Sequence, residues 1–142
     1  TRSWIDLRLK SIEIRKDLTN EWEDRSVKTG NEFAILTDDI TFAWAGLKTK
    51  EYKRHKGLKK ESLRDNMTNL ELVLNMLGEA ATTEISKTEE PETFYQNRVV
   101  AKKGGGVAGV ARKRLEKQVG HSVISKQNFG REIEAKRGKI SR

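Results

Sequence analysis

The sequence predicts an all-α protein, a compact multi-helix domain packed around one central buried helix. Three observations lead there. Lys, Glu and Leu are abundant, β-branched runs are scarce, and Pro91 is the only proline, a composition that favours helix over strand. Apolar side chains recur at spacings of three and four, most clearly between Leu70 and Ile85. Glycines at 30, 46, 57 and 120 follow these periodic segments, where a helix stop is expected. A chain of 142 residues has the size of one domain, and an apolar fraction of 35 %, equal to the charged fraction, supports a modest core.

Taken in order, Ser3 with Asp6 reads as a capping box opening a helix to about Lys28, with Trp4, Leu7, Ile14, Leu18 and Trp22 along one side. Ile5, Leu7 and Leu9 alternate as a strand would, but five turns of helical spacing without a turn signal decide for helix. After the loop at Gly30, Thr37-Asp-Asp-Ile40 reads as an N-cap with acidic first-turn residues, opening a short helix through Trp44 to Gly46. Thr49 caps a second short helix, Lys50 to Lys56, and Glu61 to Met67 forms another short turn. Thr68-Asn-Leu-Glu71 is a capping box for the central helix, Asn69 to about Lys87. Leu70, Val73, Leu74, Leu77, Ala81 and Ile85 share one face and Leu72, Met76 and Ala80 another, so this helix is expected to be buried on two sides. A helix from Thr93 to Lys103 follows Pro91. Gly104-Gly105-Gly106 should weaken or break it, each glycine costing about 1 kcal/mol, before helical spacing resumes from Val107 to Val119. Ser122 to Ser125 reads as a short extended segment. The expected organisation is one helical domain, 1–125, with a basic and flexible tail, 126–142.

Charge is unevenly placed. The net charge is +8, yet residues 1–97 carry 16 basic and 18 acidic side chains, whereas residues 98–142 carry 13 basic and 3 acidic. A second cluster, Lys48 to Arg64, holds eight basic and two acidic residues. Such surpluses point to an anionic partner, nucleic acid or an acidic protein face, against the plainer reading of a solvated surface. The candidate partner-binding residues are Lys53, Arg54, Lys56, Lys59 and Lys60 in the first cluster and Arg112, Lys113 and Arg114 in the second.

Other chemistries find less support. Without cysteine there is no thiolate nucleophile, disulfide or Cys-ligated zinc. His55 and His121 stand alone, with no second histidine or nucleophile at recognisable spacing, and Asp38 and Asp39 diverge on a helix and suit its N-terminal dipole. No catalytic residue, metal or cofactor is expected. Gly104 to Gly109 lacks the Gly-Lys-Ser/Thr ending of a nucleotide loop and follows a helix, so a hinge or close packing is favoured, although a glycine-rich helix start beside Arg112, Lys113 and Arg114 could hold a phosphate. Trp4, Trp22 and Trp44 fall on apolar stripes and are expected in the core, and among aromatics only Tyr52 interleaves with the basic run. No apolar run approaches the ~20 residues of a membrane span.

Several stretches carry a family resemblance: Phe33-Ala-Ile, Tyr52-Lys-Arg-His-Lys-Gly-Leu-Lys-Lys60, Leu63-Arg-Asp-Asn-Met-Thr-Asn-Leu-Glu-Leu72, and Gly106-Val-Ala-Gly-Val-Ala-Arg-Lys113 with Gly120 and Val123-Ile-Ser. From roughly Leu7 to Phe129 the chain resembles the C-terminal region of the DNA-damage-inducible protein D family, relatives of BRO-type phage antirepressors. The Lys-Gly-Leu-Lys and Asn-Met-Thr-Asn-Leu-Glu blocks are its most specific parts. Members of that family usually carry an N-terminal BRO-type domain, so the chain is expected to be an excised or shortened C-terminal part. The resemblance implies a non-catalytic, cytoplasmic protein of the SOS response or of a prophage, acting on RecA-type recombinase filaments or their single-stranded DNA. The alternative it leaves open is a DNA-binding transcriptional regulator of antirepressor type. No site residue carries over from it.

Overall fold

In a computed structural model, which describes residues 2–126, the chain is helical, and among those residues there is no strand. Five helices follow in order: α1 (Arg2–Asp24), α2 (Asn31–Ala45), α3 (Thr49–His55), α4 (Asn69–Glu89) and α5 (Phe94–Val119), with a single 3-10 turn at Arg64–Asn66 before α4. The expected flexible tail lies outside the described residues, apart from Lys126, and Ser122–Ser125 takes no strand pairing.

Local sequence explains most of the boundaries. Thr68 and Glu71 form a complete capping box at the start of α4, and Thr93 and Gln96 form another at the start of α5. Gly46 and Gly120 close α2 and α5 in the left-handed conformation that a side chain would disfavour. Three starts differ from expectation. Thr49, expected to cap α3, is its first residue, with Lys48 before it and no side-chain cap. Ser3 lies within α1 rather than at its cap. Thr37 is not a cap either, because α2 already begins at Asn31. Its hydroxyl donates back to the Phe33 carbonyl at 2.7 Å, the bond a mid-helix threonine uses when its backbone is already helical.

Expectation also fails at the three glycines, where α5 runs unbroken. The propensity cost is offset by close helix packing. A Cβ on Gly104 would stand 2.6 Å from the backbone N and Cα of Thr82 on α4, and one on Gly105 would stand 2.8 Å from Ala43 Cβ on α2. A Cβ on Gly78 would meet the same seam from the α4 side, 3.6 Å from the Gly105 Cα. α5 is thus wedged between α4 and α2, its heaviest contacts, and α1 covers another side of α4.

One core runs through these helices, built from Leu18 and Trp22 of α1, Leu36, Ile40 and Trp44 of α2, Tyr52, Leu72 and Leu74, and Ala101 and Ala108 of α5. Trp22 and Trp44 are buried as expected, and Trp4 is half-buried. α4 is central, but with its faces reversed. Its buried side carries Glu71, Asn75, Glu79, Thr82, Thr83 and Ser86 beside Leu72 and Leu74. Leu70, Val73 and Leu77, expected in the core, are 43, 46 and 38 % exposed. Polar residues occupy the interior because each finds a partner there: Glu79 accepts from Arg15 and Arg64, Asn75 takes the Trp44 indole N–H, and Ser86 donates to Glu21.

Candidate nucleic-acid interface

The basic run Lys50–Lys60 folds as α3 and the turn behind it, and the helix sorts its charges by direction. Tyr52 and Lys56, four residues apart, share the inward side. Lys56, expected to bind a partner, is fully buried, with Nζ 2.7 Å from Glu71 Oε1. The same carboxylate accepts from the Tyr52 hydroxyl, from the Thr68 N–H at 3.0 Å and from the Ser125 N–H at 3.3 Å. Burial, reinforced by the facing Glu71 charge, pushes the Tyr52 phenol far above its ordinary range, so it stays protonated and donates. Lys56 and Tyr52 are therefore structural, and neither is available as a cation or stacking ring for a ligand.

The rest of the run is outside. Arg54, Lys59 and Lys60 are exposed and Lys53 is half-buried. Lys50 lies one turn before Lys53, so both reach the same side of α3. Between that side and α2 runs a groove of about 580 Å³, lined by Arg15, Gly30, Phe33, Ala34, Thr37, Asp38, Thr49, Lys50, Lys53 and Lys59. It adjoins a smaller cleft of about 230 Å³ that shares Thr37, Thr49 and Lys53 and reaches Ser62 and Arg64.

The electrostatics of this groove are one-sided. Among the described residues no carboxylate pairs with the ammonium group of Lys50, Lys53 or Lys59, and Glu61, outside the lining, accepts the Lys59 backbone N–H at 2.8 Å. Beneath them Glu79, 1 % exposed, is shared by two guanidinium groups, Arg15 at 2.8 Å and Arg64 at 2.8 Å, which leaves one positive charge uncompensated. Asp38 is the one acidic residue in the lining, and its Oδ1 is already engaged by the Thr49 N–H at 3.1 Å. Arg15 and Thr37 are held to each other at 2.7 Å, and Arg15 also stacks 5.2 Å over Trp22, so the floor is preset.

The second expected cluster disperses. Arg112 turns inward, its Nε donating to the Trp44 carbonyl and its Nη1 to Glu116 at 2.7 Å. Glu116 is held below the ordinary carboxylate range: partial burial acts in the opposite sense, and the Val123 N–H at 2.9 Å together with Arg112 outweighs it. Lys113 and Arg114 are exposed, but neighbours on a helix point about 100° apart and do not form one patch. Arg112 does lie beside α3, lining a shallow cleft with His55 and Lys126.

Lys50, Thr49 and Arg15 are absent from the candidate partner-binding residues that the sequence offers. The spacing of Lys50 and Lys53 was a readable signal. Arg15 was not readable, since it joins the site only through the packing of α1 on α4. Among the described residues no three His, Asp or Glu side chains converge as metal ligands, and no helix is long and apolar enough to cross a membrane. Comparison with protein-family models, curated proteins and solved structures finds no match for this chain.

Proposed function

We propose that this chain is a non-catalytic, cytoplasmic binding protein whose α3 surface engages the phosphate backbone of single-stranded DNA, and that it acts on recombinase filaments assembled there. The observation that carries the reading is the set of uncompensated cations at Lys50, Lys53 and Lys59 around one groove, with Arg54 and Lys60 exposed on the same short run. Phosphate chemistry suits such a surface, because each ammonium that neutralises a phosphate releases condensed counterion. The resemblance of Tyr52–Lys60 and Leu63–Leu72 to the DNA-damage-inducible protein D family supports the cellular setting, a damage-induced or prophage-borne modulator of a RecA-type recombinase.

The test is binding of the purified protein to labelled oligothymidylate across a salt series, with and without preformed recombinase filaments. Affinity should fall steeply with salt, with a log–log slope of about −0.7 per phosphate neutralised, and filaments should release recombinase. Absence of binding at low salt would reject the nucleic-acid reading. Tighter binding to duplex than to single strand would favour the antirepressor-type regulator instead.

A further inference from the structure

The groove between α2 and α3 has two unlike walls. One is cationic, with Lys50, Lys53 and Lys59 and the Arg15–Thr37 pair at its base. The other is apolar and small, formed by Phe33, Ala34 and Gly30. The Phe33 ring is fixed in place by packing on Trp22, with ring centroids 5.3 Å apart. The Thr49 hydroxyl adds a hydrogen-bonding group beside the lysines, since only its backbone N–H is committed, to Asp38. A volume of about 580 Å³ falls in the range of small-molecule sites and is more than a bare anion requires.

We infer that this groove is a nucleotide subsite: it takes one nucleotide unit of a single strand, with the phosphate on Lys50, Lys53 and Lys59 and the base against Phe33. The inference rests on the single-strand reading above and adds where the chain is gripped and by what. Two guanidinium groups share Glu79, and three ammonium groups have no ion-pair partner; Asp38 in the lining and Glu61 on the Lys59 backbone N–H offset two of these charges, which leaves the groove cationic. A phosphodiester brings one negative charge per unit, so the groove is suited to a phosphate that other units of the strand can flank from the exposed Arg54 and Lys60. Base stacking on an aromatic ring is tolerant of sequence, which fits a site without base-edge readers.

The experiment is an amide and aromatic NMR titration of the full chain with thymidine 5′-monophosphate, thymidine, inorganic phosphate and a short oligothymidylate. Thymidine monophosphate should move the signals of Thr37, Thr49, Lys50 and Lys53 together with the Phe33 ring. Inorganic phosphate should move the first set alone and bind more weakly, and thymidine should move neither appreciably. Lys53→Glu should weaken oligothymidylate about tenfold and reduce its salt slope by about 0.7, whereas Lys87→Glu, an equal change of charge on the exposed side of α4, should alter it less. Lys53→Gln, a milder change, should give an intermediate loss with an unchanged circular dichroism spectrum.

The subsite is overturned if phosphate ligands shift residues elsewhere, if inorganic phosphate binds as tightly as the nucleotide, or if Lys53→Gln and Lys87→Glu act alike. If thymidine monophosphate occupies the groove while oligothymidylate does not bind, the subsite stands and the single-strand reading fails. If oligothymidylate binds without moving the groove signals, the single-strand reading stands and the subsite fails.

Discussion

The two sides of α4 reverse the usual amphipathic helix. The side with Glu71, Asn75, Glu79, Thr82, Thr83 and Ser86 is buried, while Leu70, Val73 and Leu77 face outward. A buried carboxylate is tolerable when cations and N–H groups satisfy it, and both glutamates meet that condition, Glu71 through Lys56, Tyr52 and two backbone N–H groups and Glu79 through Arg15 and Arg64. The difference teaches that the interior of this protein is specified by pairing as much as by hydrophobicity. It also divides the basic residues into two kinds, those consumed by α4 and those left over for a ligand.

The largest test of that division is to remove a partner from the buried side. Lys56→Met keeps the aliphatic stem but strands the Glu71 carboxylate, and urea denaturation should show a loss of about 3–5 kcal/mol. Arg54→Met, two residues earlier and on the exposed side, should cost under about 0.5 kcal/mol. If the two variants were equally stable, Lys56 would be a surface cation after all. A pair of glycine substitutions comes next. Gly104→Ala must push α5 off Thr82 and should cost about 1–3 kcal/mol, whereas a Cβ on Gly106 meets nothing within 4 Å and should gain about 0.5–1 kcal/mol from helix propensity. The contrast in sign separates close packing from simple flexibility as the reason for the glycine run.

How much of this was legible in the sequence depends on which force decides each element. The capping box at Thr68, the stop at Gly120 and the burial of Trp22 and Trp44 follow from local chemistry and are read directly, whereas the equally local box of Thr93 and Gln96 is not among the sequence expectations. The reversed face of α4 could not be read this way, because hydrophobic periodicity counts Leu70, Val73 and Leu77 as core and has no means to see that Arg15 and Arg64 arrive to satisfy Glu79. The unbroken α5 is the same kind of failure. Propensity penalises Gly104 and Gly105, but only the approach of Thr82 and Ile40 reveals why nothing larger fits. Within the candidate interface, Lys53, Arg54, Lys59 and Lys60 were visible as charge, while the burial of Lys56 and Arg112 depended on helix direction and on distant carboxylate and carbonyl partners.

A weaker pairing on α5 gives a pH-dependent version of the comparison. Glu116 is held below its ordinary value of 4.5, so its bonds to Arg112 and Val123 stabilise the fold above that value and are lost as pH falls through the lower folded-state value. Glu116→Gln should therefore be less stable than the parent at neutral pH, and the gap should close in acid. A gap that stays constant from pH 7 to strong acid would mean that Glu116 contributes by shape and not by charge.

The smallest expected effect lies on the outward apolar stripe. Val73→Gln with Leu77→Gln replaces side chains that are 46 and 38 % exposed, so each should change unfolding free energy by no more than about 0.5 kcal/mol. Solubility should rise, because an apolar stripe on the surface favours non-specific association. The decisive control is protein concentration. If the double variant lost several kcal/mol, and lost more at high concentration than at low, Leu70, Val73 and Leu77 would be covered by a second copy of the chain, and the reversal of α4 would belong to the monomer alone. If the loss were large but independent of concentration, the stripe would be core and the satisfied glutamates on the other side would not be what decides the orientation of α4.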